Sequence, residues 1–130
     1  MSVVMKLRIR GNSLRLRLSR GEVAELAERG RVDDGIAFGS GPEARLGYSI
    51  VCADDASVLS ARIGAGSIVV TLPTSLARAW AASDDVGLEA EQPIGGGEVL
   101  RLLVEKDFAC LTARTGEDDG DAFPNPNVTC

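Results

Sequence analysis

The chain has no histidine among its 130 residues. That removes the commonest general base, the commonest metal ligand and every Ser-His or Cys-His nucleophile pair. Cysteine is scarce: Cys52, Cys110 and Cys130 are an odd number with no C-x-x-C spacing, so neither a zinc site nor a disulfide framework is indicated. Cys110 and Cys130 leave two states to distinguish, a bridge that pins the chain end or two free thiols, and a reducing compartment favours the thiols. Aromatic residues make up only 4%, so Val, Ile, Leu and Ala must supply most of the buried area, at about 25 cal/mol per Å². No apolar run approaches the ~18 residues of a membrane helix. Met1 to Met5 holds too few apolar residues before Lys6 and Arg8 for a secretory signal. The expectation is a cytoplasmic protein, monomer or homodimer, without membrane contact.

Catalysis lacks a convergent set of groups. Glu105, Asp107 and Cys110 have no identifiable partner. Gly64-Ala-Gly66 and Gly95-Gly-Gly97 do not lead into the Lys-Ser/Thr of a phosphate loop. Neither an enzyme nor a cofactor is expected.

Charge is present but unevenly placed. The net charge is −5, yet residues 1–31 carry eight basic and three acidic side chains. Residues 33–104 have four basic and ten acidic, and residues 105–130 two and six. A basic beginning against an acidic remainder suggests an anionic partner, either external or within the chain.

What the chain does have is a repeat. At an offset of 54 residues, Ile9 meets Ile63, Ser13 meets Ser67, Leu16 meets Val70, Leu18 meets Leu72 and Leu26 meets Trp80. After a slip, Gly41 meets Gly95, Leu46 meets Leu100, Tyr48 meets Leu102 and Ile50 meets Val104. In the first unit Met5, Leu7 and Ile9, then Leu14, Leu16 and Leu18, alternate with basic residues around Gly11-Asn12, which predicts a hairpin. Ser19 with Glu22 predicts a capped helix that ends at Gly30. Short strands are expected at Ile36 to Phe38 and Leu46 to Ile50. The second unit repeats the order: Leu59 to Ile63, Ile68 to Leu72, a helix opened by Pro73 at its first position, Val86 to Glu91, and Leu100 to Val104. The expected fold is mainly β with two short helices (α+β). Duplicated β-β-α-β-β units, 5–51 and 59–105, would form one pseudo-dimeric swapped-hairpin-like barrel over residues 1–105, followed by an acidic tail, 106–130. Neither unit alone is large enough to bury its apolar face.

The run from Arg10 to Leu18, Gly-Asn-Ser then Leu-Arg-Leu-Arg-Leu before a capped helix, resembles the AbrB/MazE class of swapped-hairpin regulators. Gly64-Ala-Gly-Ser-Ile-Val-Val-Thr-Leu-Pro73 resembles the same pattern with its helix-opening proline. In that class two chains interlock hairpins and the basic hairpin face binds DNA. The resemblance therefore implies DNA contact by Lys6, Arg8, Arg10, Asn12, Arg15 and Arg17; outward Arg side chains suit phosphates and guanine edges. The matching second-unit positions, Ser60, Arg62, Gly64, Gly66, Val69 and Thr71, keep one cation. A solvated strand face whose charges discourage edge pairing is the structural alternative.

The tail is rich in acid, Pro and Gly, a composition of extended chain. Antitoxins of the resembling class wrap a basic toxin with such a segment, which implies partner contact by Phe108, Asp118, Asp119, Asp121 and Phe123. The other option is that the tail folds over the basic hairpin and masks it. Residues 117–121 lack the EF-hand spacing, so no metal is expected. Asp107-Phe-x-Cys110 and Phe123-Pro-Asn-Pro126 also resemble the ending of uncharacterised bacterial domains.

Overall fold

The computed structural model describes residues 5–108, which are mainly β with two α-helices. β1 (Lys6–Arg10) and β2 (Ser13–Leu18) form the first hairpin. Gly11, at φ +56°, supplies the left-handed first position of its two-residue turn. α1 (Arg20–Arg29) opens on the expected capping box. Ser19 Oγ accepts from the Glu22 N–H at 3.3 Å, and the Glu22 carboxylate accepts from the Ser19 N–H at 2.9 Å. The helix stops at Gly30, whose φ of +76° lets its N–H reach the Leu26 carbonyl. β3 (Arg31–Ala37), a single 3-10 turn at Pro42–Ala44 and β4 (Arg45–Ala53) complete the first half. The second half follows the same order: β5 (Ser60–Gly64), β6 (Ser67–Pro73), α2 (Thr74–Ala82), β7 (Gly87–Gly95) and β8 (Glu98–Lys106).

The strands form two four-stranded sheets, ordered β1-β2-β8-β7 and β3-β4-β6-β5. Each sheet takes one hairpin from each half and joins them by a parallel pair, β2 with β8 and β4 with β6. The two parallel ladders share a register: Leu14 lies beside Leu102, and Ile68 beside Tyr48. Between the sheets and under the helices sits one core. It includes Met5, Leu16, Leu18, Leu26, Ile50, Leu72, Trp80, Leu102 and Val104, each 1% exposed or less. Each large aliphatic side chain buried there contributes roughly 1.5–3 kcal/mol. Burial therefore falls on the alternate residues of β2 and β8, and their intervening residues face outward.

The expected closed barrel is not what forms. A barrel needs backbone ladders between the remaining edges, β1 with β3 and β5 with β7, and among the described residues side chains take that place. The Met5 N–H donates to Asp34 Oδ2 at 3.2 Å, and its carbonyl accepts from the Tyr48 hydroxyl at 2.8 Å. On the opposite seam the Gln92 amide imitates a strand. Its oxygen accepts from the Ala61 N–H at 2.7 Å and its nitrogen donates to the Ala61 carbonyl at 2.9 Å. Backbone groups occupied in this way cannot also form a ladder. The domain is a pair of open sheets with side-chain seams.

Several element bounds differ from expectation. β3 begins directly after Gly30, because Val32 buries while Asp33 is held by Arg31 and Ser49. Pro73 is the residue before α2 and not its first position, and it makes no side-chain cap. β8 carries the chain through Lys106, and the Asp107 N–H donates to the Leu18 carbonyl. No helix among the described residues is long and apolar enough to cross a membrane.

Candidate nucleic-acid interface

The alternation of β2 places Leu14, Leu16 and Leu18 in the core and Arg15 and Arg17 on the outer face of the first sheet. Cross-strand pairing sets Lys6 opposite Arg17 and Arg8 opposite Arg15, with Arg10 opposite Ser13. Five cations thus share one surface. Lys6, Arg8 and Arg10 are exposed on the edge strand, whereas the inner-strand Arg15 and Arg17 side chains are only 26% and 16% exposed.

Like charges directly opposite destabilise a sheet, and β8 offsets them. Running parallel to β2, it sets Arg101, Leu103 and Glu105 beside Ser13, Arg15 and Arg17. Glu105 Oε1 lies 3.3 Å from Arg15 Nε and 3.4 Å from Arg17 Nε. Lys6 Nζ lies 2.8 Å from Asp107 Oδ2. On β7, Glu91 pairs with Arg101 at 3.4 Å, and Glu89 stands beside Leu103. Charge therefore grades across the sheet, cationic along β1 and β2 and anionic along β7. Along β1 and β2 it grades as well, because Glu105 and Asp107 meet the helix end of those strands, whereas Glu91 stands at the turn end of the far edge.

The turn end is the cationic part. Arg8, Arg10 and Arg15, with Gly11, Asn12, Ser13 and an outward Leu103, line a concavity of ≈ 570 Å³. Arg15 Nη1 itself is buried, without a hydrogen-bond acceptor among the described residues. Asn12 is a brace: its Nδ2 donates to the Val99 carbonyl at 2.8 Å, and its own carbonyl accepts from the Arg101 N–H at 3.0 Å. That fixes the hairpin turn to β8.

Among the described residues the second sheet has no equivalent. Its matching hairpin pairs Ser60 with Thr71, Arg62 with Val69 and Gly64 with Ser67. The neighbouring charge is a closed local pair. Arg31 Nε donates to both Asp33 oxygens at 2.8–2.9 Å and the Ser49 hydroxyl adds a third bond at 2.6 Å. The Arg31 hydrogen bonds hold the Asp33 carboxyl below its usual range, against the opposing effect of partial burial. Cys52 is half-buried, its thiol pushed up chiefly by burial and directed at the Leu26 carbonyl at 3.7 Å.

An apolar groove of ≈ 320 Å³ opens between the sheets at the turn end, lined by Ile9, Leu14, Ile63, Ile68, Ile94 and Leu100 with Arg62 and Gln92. Ile9, Ile63 and Ile94 are 62%, 77% and 49% exposed. Phe108, 57% exposed, borders a separate concavity between the helices with Leu18, Val23 and Ala81. Asp118, Asp119, Asp121 and Phe123, as well as Cys110 and Cys130, lie outside the described residues.

Of the residues expected at a DNA surface, the fold brings Lys6, Arg8, Arg10, Arg15 and Arg17 together and uses Asn12 as a brace. Their counter-charges are the carboxylates of Glu105 and Asp107, which sequence alone leaves as acidic groups without a partner. Only the unequal charge of the two ends hinted at them.

Together these features define a two-sheet β domain with one cationic sheet face and an apolar groove at its rim. Residues 5–127 match a family of unknown function (DUF7009), and the chain belongs to that family. No curated protein and no solved structure matches it.

Proposed function

We propose that the protein is a non-catalytic nucleic-acid-binding module, a regulator of the AbrB/MazE kind acting in the cytoplasm, that contacts DNA through the outer face of the first sheet. One observation carries this reading: Lys6, Arg8, Arg10, Arg15 and Arg17 occupy one surface in direct cross-strand register. A two-stranded ribbon of that kind suits phosphates and base edges. The footprint is narrow. A phosphate chain laid along β1 and β2 meets cations, whereas one crossing to β7 meets Glu89 and Glu91. Duplication of a β-β-α-β-β unit accounts for the shared register of the two parallel ladders. Loss of cations from the second copy then leaves one binding face where a symmetric ancestor had two.

The test is duplex binding across a salt series. The log–log slope should be near −0.9 for each phosphate neutralised, and Arg8→Ala with Arg10→Ala should flatten it by about 1–2. A slope that the double variant leaves unchanged removes the assignment.

A second reading is a protein-binding module of antitoxin type that no longer binds DNA. The exposed Ile9, Ile63 and Ile94 and the internal neutralisation of Arg15 and Arg17 by Glu105 favour it. The acidic tail, with Phe108, Asp118, Asp119, Asp121 and Phe123, would then hold a basic protein partner. Co-purification of a basic partner that Phe123→Ala and Phe108→Ala release would support that reading over the first.

A further inference from the structure

The apolar groove and the cationic concavity are two sides of one turn. Both are lined by Gly11, Asn12 and Ser13. A ligand that fills both must therefore offer an apolar group on one side of the turn and negative charge on the other. The chain contains such a ligand. Glu117, Asp118, Asp119 and Asp121 precede Phe123 by six to two positions, and the family match extends past them to residue 127.

We propose that residues 117–123 of the same chain dock across the β1–β2 turn, with Phe123 in the groove between Ile9, Ile63 and Ile94 and the carboxylates over Arg10 at the rim of the concavity. The occupied face would be the anion-binding face, so the segment is a built-in competitor for nucleic acid, and that regulatory meaning rests on the function proposed above. Reach is sufficient. From Phe108 back to Arg101, which pairs with Ser13 at the turn, the strand path is roughly 23 Å at about 3.3 Å per residue. The nine residues from Phe108 to Glu117 span up to about 30 Å when extended. Charge also selects this end. Glu105 and Asp107 already neutralise the helix end, so added carboxylates gain most at the turn, where exposed Arg10 lines the concavity. The apolar side matches too, because the groove of ≈ 320 Å³ beside these three exposed isoleucines has room for one aromatic ring.

The experiment uses the full chain, labelled at its isoleucine methyl groups, without nucleic acid. Four of the six isoleucines, Ile9, Ile63, Ile68 and Ile94, line the groove, while Ile36 and Ile50 do not. Phe123→Ala should shift the four groove methyls and leave Ile36 and Ile50 in place. Asp118→Asn with Asp119→Asn and Asp121→Asn should move them part of the way, as should 1 M salt, where the screening length falls to about 3 Å. The shifts should be independent of protein concentration. Unchanged groove methyls in Phe123→Ala overturn the proposal. Shifts that grow with concentration overturn it as well, and assign the groove to a second copy. Because nothing is bound in this measurement, its failure is distinct from a failure to bind DNA.

Discussion

Removing the charge of Glu105 should strengthen anion binding while costing little stability. Glu105 Oε1 contacts two guanidinium groups, Arg15 at 3.3 Å and Arg17 at 3.4 Å. All three side chains are between 16% and 26% exposed, so solvent screens the pairs only in part. Partly exposed ion pairs contribute on the order of 0–1 kcal/mol each, and Glu105→Gln keeps the shape and one acceptor. The fold should lose no more than about 1 kcal/mol. On the ligand side, one or two cations become available to phosphates, which steepens the salt slope by about 0.9–1.8. Over a fourfold change in salt, the affinity gain of the variant should therefore be about 3–12 times larger at the low-salt end. Fluorescence anisotropy with a labelled duplex, titrated at several salt concentrations, reads this directly. Glu28→Gln on α1 changes net charge equally, away from the sheet face, and serves as the control. A Glu105→Gln slope equal to that of the unaltered protein, or a matching change in Glu28→Gln, would show that Glu105 does not compete with phosphate for Arg15 and Arg17.

Three further outcomes test the fold that carries the site. Gln92→Ala removes both bonds to Ala61 and should lower stability by about 1–3 kcal/mol in urea unfolding; an unchanged midpoint would deny the side-chain seam. Tyr48 has its pKa raised, first by burial and then by the charges of Asp34 and Glu22. The folded state thus holds the phenol proton better than the unfolded one. Stability is intact below the ordinary tyrosine value of about 10 and is lost as pH climbs through the higher folded value. Tyr48→Phe should remove that alkaline decline while costing about 1 kcal/mol for the lost bond to the Met5 carbonyl. Ala65 sits at φ +51° in the β5–β6 turn before Gly66, and Ala65→Asn should raise the unfolding free energy by about 0.5–1 kcal/mol, because Asn-Gly suits that turn.

The local signals in the sequence were strong where one short segment decides the structure. Alternation of Leu14, Leu16 and Leu18 with Arg15 and Arg17 located the hairpin and its basic face, and Ser19 with Glu22 located the helix start to the residue. Signals that depend on distant partners were not legible. The pairing of β2 with β8 joins residues 88 positions apart, so Glu105 looked like a stray carboxylate until it stood beside two arginines. The two open sheets came from the same cause. Whether β1 pairs with β3 depends on what occupies Met5's backbone groups, and Asp34 and Tyr48 take both. The sequence pattern makes β3 too short because Asp33 and Asp34 interrupt its apolar alternation, although each has a partner in the folded chain.

The proposed anion-binding face belongs to the first sheet and not to the second. Arg8 and Arg62 are the sharpest pair for testing it. They occupy matching outward positions 54 residues apart, Arg8 opposite Arg15 and Arg62 opposite Val69. Both are exposed on edge strands, and Arg→Glu at either changes net charge by the same amount. Duplex affinity measured side by side should fall at least tenfold for Arg8→Glu and stay within about twofold for Arg62→Glu, given that reversing one charge at a contact, a change of two units, costs more than about 1.4 kcal/mol. Equal losses in the two variants, or a larger loss in Arg62→Glu, would rule out the first sheet as the anion-binding face.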